Sequence, residues 1–419
     1  MSDWKKSLLP TVVVLGAIVA FIGGSEVRVR QDTGTTAKSV PQPFLAGIES
    51  PTDSPKKIAE GVLFYQLLQL LERDYVDPNI DEQKLAFGAV KGMVSGLFDP
   101  LSEYFAKDRF DDYNRRLSGV FHGAGLELRP VTDAVELKKA RKNARSADPY
   151  LLSPILEVAT VVPGGPADKL GIRVGDHITG INGKYVLGFT DVKRIRQLQK
   201  DLSDGKVTAE QYKVVRSEFQ KRARSAISVA RVEELLTMGE GKSFEVRWAR
   251  GDVEGSGMLT TAETKLPAVE KSADGSIVLR VLHGSADELS HIDFGTGPVT
   301  LDLRQSSLGD SKEIKPMLSL LATAGKFGQI VSEKPGQPRV LATETGVSAG
   351  RRYRLLVDKS TRGSAELLAL ALKSRGIADI VGGPMAGEPV WLELDALGDG
   401  SGYVLNTGSF MSETVEARK

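Results

Sequence analysis

Apolar residues recur along this chain with more than one period, and each change of period marks a change of architecture. An unbroken apolar run, Leu8 to Gly24, comes first, with Trp4, Lys5 and Lys6 before it and Arg28 and Arg30 after it. From Ile58 to Tyr113 the spacing is helical. Val62, Tyr65, Leu68, Leu71 and Tyr75 fall three or four residues apart and predict an amphipathic stripe. Asp77-Pro78 stops that helix, and Leu85, Ala89, Met93 and Leu97 predict a second one ending near Asp99-Pro100.

Strand patterns follow. FHGAGLELRP (Phe121–Pro130) has glycines flanking a strand start, where backbone amides can converge on an anion unobstructed by side chains. ILEVATVVPGGPADKLGIRVGDHITGINGKYV (Ile155–Val186) alternates strand residues with PGGPA, a short helix, and GD and NG turns. Val131 to Ser153 interrupts this region with the basic run LKKARKNAR. A larger interruption, Gly188 to about Ser228, carries VKRIRQLQKDL and TAEQYKVVRSEFQKRARSAI. There Val207, Val214, Val215, Phe219 and Ile227 predict a helical hairpin with an intermittent apolar face. From Lys265 onward strands and helices alternate: IVLRVL and PVTLDLR as strands, Glu313–Ala324 as a helix, then YRLLVD, a helix Ser364–Lys373, ADIVGG, and a closing hairpin of WLELDA and GYVLNTGSF.

The fold class read from this is α/β plus α+β, multidomain. The expected parts are a membrane anchor or signal segment (1–30) and a flexible Pro/Ser/Thr-rich linker (31–57). A helical N-terminal domain and candidate dimerisation element (58–118) follows, then a β-rich domain (119–260) with insertions at 131–153 and 188–228, and an α/β core (261–419). The apolar run of about 17 residues is at the short end for a span and long for a signal-peptide core. No AxA site precedes Gly23–Ser25, which favours an uncleaved anchor over a cleaved signal peptide.

Composition narrows the chemistry. Lys plus Arg (55) nearly cancel Asp plus Glu (54), so no global field favours nucleic acid. The basic charge is local: Asp191 to Arg231 holds eleven Lys/Arg against five Asp/Glu, a surface for an acidic protein or for lipid headgroups, or else a solvated face. The chain has no cysteine, which excludes disulfides, thiolate metal sites and cysteine catalysis. His122, His177, His283 and His291 lack helical metal-ligand spacing, so no metal and no cofactor is expected.

RDYVDP, GAVKGMVSGLFDPLSEYF and the strand–helix stretch LLVDKSTRGSAELLALAL (Leu355–Leu372) resemble the carboxyl-terminal processing, or tail-specific, serine peptidases. Leu101 stands where that pattern has histidine. Ile155–Val186 resembles a PDZ domain. The resemblance covers about Ile58 to Phe410 apart from the insertions. It implies a PDZ-like β-barrel with a helical insertion and a protease-like α/β core. It also implies a groove that adds a peptide as a strand, its C-terminal carboxylate held by the amides around Gly123, Ala124, Gly125 and Leu126.

The family uses a serine at a helix start, a lysine base and oxyanion glycines. By resemblance the serine position is Gly363, in KSTRGSAEL; the lysine position is Glu388, in VGGPMAGEPVW; and the first oxyanion glycine is Leu308, in LDLRQSSLG. Glycine carries no nucleophile, and a carboxylate with a pKa of about 4 is a poor base that repels an oxyanion. The leading expectation is a membrane-tethered pseudoprotease on the periplasmic side of a bacterial inner membrane, acting as a peptide-binding scaffold or assembly subunit. The alternative is an active endopeptidase with Ser364 as a displaced nucleophile. One helical step turns a side chain by about 100°, away from the family's line of attack.

Overall fold

The computed structural model describes residues 55–77, 80–334, 336–346 and 350–412. The expected anchor and most of the expected tether lie outside them. Among the described residues no helix is long and apolar enough to cross a membrane. Contacts divide the described residues into two units, with the boundary between Val90 and Lys91. A helix spans Pro55–Asp74 in the first, and a second, Glu82–Ser95, begins there and continues past Val90. Leu68 and Leu71 of the predicted stripe are only half-buried, and Tyr75 is exposed.

In the larger unit, the PDZ-like region is an antiparallel sheet. Its strand order is Leu126–Val131, Ile155–Val161, His177–Ile181, Ser243–Arg250 and Val253–Thr260, with Lys184–Tyr185 paired to the third. Leu126–Val131 is an end strand of this sheet, and the helix Val229–Thr237 packs beside it. Leu126, Leu128, Leu156, Val158, Ile178, Val232 and Leu236 form a shared apolar core at the alternating positions expected of a one-sided sheet.

The insertions are helical: Ala134–Lys142 in the first, Phe189–Ser203 and Ala209–Arg224 in the second. Thr208 caps the last of these, accepting the Gln211 amide at 3.2 Å while the Gln211 side chain accepts the Thr208 amide at 2.8 Å. The two insertions meet through Lys193–Asp133 and Arg196–Asp148 ion pairs, so part of the basic surplus is neutralised within the chain. Val214, assigned to the apolar face from its spacing, is exposed instead; Val215, Phe219 and Ile227 carry that face.

The core is a five-stranded sheet ordered Val269–Lys271, Ile277–Leu279, Val299–Asp302, Tyr353–Val357, Ala378–Gly382, parallel except for the first pairing. A second sheet combines Glu103–Phe105, Gly402–Met411, Gly325–Val331 and Arg339–Thr343, with Val390–Ala396 also on Gly402–Met411. Leu301, Leu355, Leu318, Leu367, Leu368 and Phe327 belong to the buried cluster that joins these elements. IVLRVL, expected as one strand, is two. Arg280 donates its amide to Ala268 and a guanidinium N–H to the Arg304 carbonyl, after which Val281–Leu282 pairs with Leu308–Gly309 instead of continuing in the main sheet.

Candidate active site

The strand Tyr353–Val357 ends, as parallel strands with ligand clefts do, in a turn that launches a helix, Ser364–Ser374. The turn is tightly held. Thr361 Oγ1 donates to the Leu303 carbonyl at 2.8 Å and accepts the Asp358 amide at 3.1 Å, and Ser360 Oγ accepts the Gln305 amide at 2.6 Å. Gly363 precedes the helix at φ +55° and ψ −123°, a conformation that a side chain rarely adopts. A Cβ built there would meet only Leu392 Cδ1, at 3.9 Å. The place is sterically open, with a backbone conformation that glycine adopts freely and a side chain would strain.

Glu388 reaches the same cleft from the loop after Ala378–Gly382. Glu366, in the first turn of the helix, fixes that loop by accepting the Gly387 and Glu388 amides at 3.2 and 2.8 Å. Burial pushes the Glu366 carboxyl above its ordinary range, against these two hydrogen bonds. The Glu388 side chain accepts from Arg129 Nη1 at 2.6 Å, which ties the peptidase-like core to the end strand of the PDZ-like sheet. Thr160 makes a second tie, its Oγ1 donating to the Gln305 carbonyl at 3.0 Å. The cleft has a volume of about 120 Å³, and Gly363, Glu388, Leu308, Arg362, Arg129 and Glu103 are among the residues that line it.

The structure therefore brings Gly363, Glu388 and Leu308 together and separates Ser364 from them. Ser364 is 3% exposed, its Oγ 3.4 Å from Ser311 Oγ, and it does not line the cleft. Leu308 packs with Leu117, Phe121 and Val281, filling with side chain what a glycine would leave as open backbone.

The turn Gly123–Leu126 sits at the head of the end strand, as its glycines suggested. Gly123 lies at φ +90°, and a Cβ there would come within 2.2 Å of the Leu236 carbonyl oxygen. Ala124 donates its amide to that same carbonyl at 2.6 Å. One of the four amides assigned to carboxylate capture is thus engaged by the helix Val229–Thr237.

Sequence patterns did not single out the charged groups around the cleft. Arg116, nearly fully buried, pairs with Asp112 and with Glu127. Burial disfavours its charge, but the two carboxylates outweigh that and hold it charged. Arg109 pairs with Glu233 at 2.9 Å. Glu103, which solvent reaches although protein surrounds it on most sides, is pushed up to about 7 by desolvation and by the nearby Glu233 carboxylate. Away from the cleft, His122 Nδ1 lies 2.8 Å from Glu240 and its Nε2 3.9 Å from Glu263. Each ring nitrogen faces its own carboxylate, and the ligand atoms of the three residues lie within 4.8 Å of one another.

Comparison with known proteins agrees with this architecture. The PDZ domain profile matches residues 157–201, the Peptidase family S41 profile residues 287–417, and the profile of the activating protease CtpB N-terminal domain residues 28–109. A match to the PDZ model thus precedes a match to the Peptidase family S41 model, and in that order the chain is similar to the carboxy-terminal processing proteases. It is 25% identical over 338 residues to a probable CtpA-like serine protease of Staphylococcus aureus, an alignment covering 80% of this chain and 57% of that protein. The chain thus spans little more than half the length of that relative. It is 22% identical over 409 residues to the carboxy-terminal processing protease CtpA of Bacillus subtilis, covering 98% of this chain and 73% of that one. In fold it is similar to a photosystem II D1 C-terminal processing protease, with a TM-score of 0.53 at 20% identity over 84% of this chain and 89% of that one.

Proposed function

We propose that this chain is a pseudoprotease: a peptidase fold without peptidase chemistry, kept as a membrane-tethered scaffold that binds protein C-termini. The observation that carries the reading is Gly363. It occupies the positive-φ turn at the helix start, lines the cleft, and offers no nucleophile. Glu388 at the family's base position supports it, because the carboxylate is bonded to Arg129 and cannot accept a proton there without weakening that pair. Ser364 adds nothing to the chemistry, since its hydroxyl is buried against Ser311.

The PDZ domain supports binding of chain ends by strand addition along Leu126–Val131, an edge position in its sheet. The apolar run Leu8–Gly24 between basic flanks supports a single anchor, with the body on the periplasmic side of a bacterial inner membrane. The basic faces of Phe189–Ser203 and Ala209–Arg224 suit an acidic protein or anionic headgroups.

The test is incubation with a serine-reactive fluorophosphonate probe and with unfolded casein. No labelling and intact casein are expected. Labelling that disappears in Ser364→Ala would overturn the reading. Carbonate-washed membranes should retain the full chain and release a form lacking residues 1–30.

A further inference from the structure

The cleft beside Gly363 contains buried polar atoms with nothing to bond. Arg362 is 9% exposed. Its Nη2 donates to the Lys359 carbonyl at 3.2 Å, while Nε and Nη1 are buried without a partner. Arg129 spends Nη1 on Glu388 and leaves Nε buried and unpartnered. Glu388 accepts with Oε1 and leaves Oε2 buried and unpartnered. All three residues line one cleft. Buried polar groups of this kind are as a rule satisfied by a ligand or by ordered water.

The inventory is lopsided. Among the unpartnered atoms are three nitrogens that can donate and one oxygen that can accept; of the other acids lining the cleft, Glu127 is paired with Arg116 and Glu233 with Arg109, and Glu103 lies beside Glu233. The intervening acid, Glu157, lies 3.7 Å from Arg362 and 3.8 Å from Arg129, beyond hydrogen-bonding distance, with His177 3.9 Å away. The helix Ser364–Ser374 starts at the cleft, and its positive end adds to the pull on an anion. At about 120 Å³ the space is well below the 300 Å³ and more of drug-sized sites and matches about four waters at roughly 30 Å³ each, room for a carboxylate and one amide.

The geometry points to a carboxylate-binding site in this cleft, the anion held between Arg129 and Arg362 at the helix start, with Glu388 Oε2 accepting an N–H of the same ligand. A polypeptide C-terminus supplies both groups, its terminal carboxylate and its last amide. A small free carboxylate supplies only the first. This rests on the absence of peptidase chemistry proposed above and adds a second anion site, separate from the Gly123–Leu126 turn. Planar guanidinium donors match a carboxylate in a way that a lysine at the same place would not.

The experiment is calorimetric titration of the full-length protein at pH 7 with acetyl-Ala-Ala-Ala as the free acid, the same peptide as its C-terminal amide, and sodium acetate. The acid peptide should bind at least tenfold more tightly than the amide. Arg362→Gln and Arg129→Gln should each weaken the acid at least tenfold, and Glu388→Gln, which removes a negative charge from the cleft and loosens Arg129, should tighten acetate and narrow the preference for peptide over acetate. Acetate bound as tightly as the peptide assigns the site to small carboxylates; preference for the peptide assigns it to chain ends.

Equal affinity for acid and amide, or no binding at all, overturns the proposal and leaves the cleft to water. So does wild-type affinity in Arg362→Gln combined with its loss in Gly125→Ala, since the turn would then be the receptor. Should Arg362→Gln fail to fold, Arg129→Gln and the rise in wild-type melting temperature with acid over amide decide the matter. Fluorophosphonate labelling is read separately, so loss of the pseudoprotease reading and loss of this site are distinguishable.

Discussion

Gly363 and Ser364 are neighbours in sequence and face different environments. Gly363 borders the cleft at a φ of +55°, and Ser364 is in the core against Ser311. Putting a side chain on the first is feasible in space but costs backbone strain. Gly363→Ser should lower stability by about 1–2 kcal/mol, read as a lower melting temperature, and should leave casein intact because no base is supplied. Glu388→Lys sets a second cation against Arg129 in a half-buried site. It should cost about 2–3 kcal/mol in urea unfolding, more than Glu388→Gln.

Glu103 makes a pH prediction at the same scale. Its folded pKa, about 7, lies above the ordinary carboxyl value, so the folded state holds the extra proton. Stability from this group is present below about pH 4.5 and is lost as pH rises through 7. Glu103→Gln should therefore raise the melting temperature at pH 8 by about 1–3 °C, a figure kept small by solvent access, and should leave it unchanged at pH 4.5.

Gly363 and Glu388 were legible because the turn and loop around them keep a family pattern. Arg129 was not, since it lies 259 positions from Glu388 and no local spacing reports such a pair. Arg362 was in plain view in KSTRGSAEL. Its significance lies in two guanidinium nitrogens, Nε and Nη1, buried without a hydrogen-bond partner, which only the packing reveals.

Elements defined by their own periodicity were readable. The helical hairpin at 188–228 announces itself through apolar spacing, and its caps follow local rules. Thr208→Ala removes half of a capping box and should cost about 1 kcal/mol of local stability, seen as faster amide exchange in the first turn of Ala209–Arg224 with little change elsewhere. Elements defined by distant pairing were harder to read. Glu103–Phe105 falls within a stretch whose spacing reads as helical, and it is a strand because Gly402–Met411 supplies its partner. The division of IVLRVL between two sheets likewise depends on Ala268 and Arg304, not on its own composition.

Across the larger unit, charge pairs join parts that the sequence presents as separate modules. Arg116, in the helix Lys107–Leu117, meets Glu127 on the end strand of the PDZ-like sheet. Arg116→Ala would strand Glu127 as a buried, unpaired acid and leave Asp112 with Arg115 alone. It should cost about 3–5 kcal/mol, measured as a lowered urea midpoint. The proposed scaffold would gain from such ties, because an edge strand presented at a fixed angle loses less freedom on capturing a peptide.

The pairing of Glu103–Phe105 with Gly402–Met411 carries a consequence for how the chain is made. The Asn406 amide donates to Ser102 Oγ at 3.0 Å across 304 positions of sequence. On a ribosome adding about 5–20 residues per second, the early strand would wait roughly 15–60 s for its neighbour to be synthesised. Throughout that interval its polar backbone edge and the apolar faces of Tyr104 and Phe105 are without their final cover. Such non-local contacts form late and slowly. The second sheet is therefore the place where a chaperone, or a misplaced strand from another nascent chain, would compete with the last step of assembly.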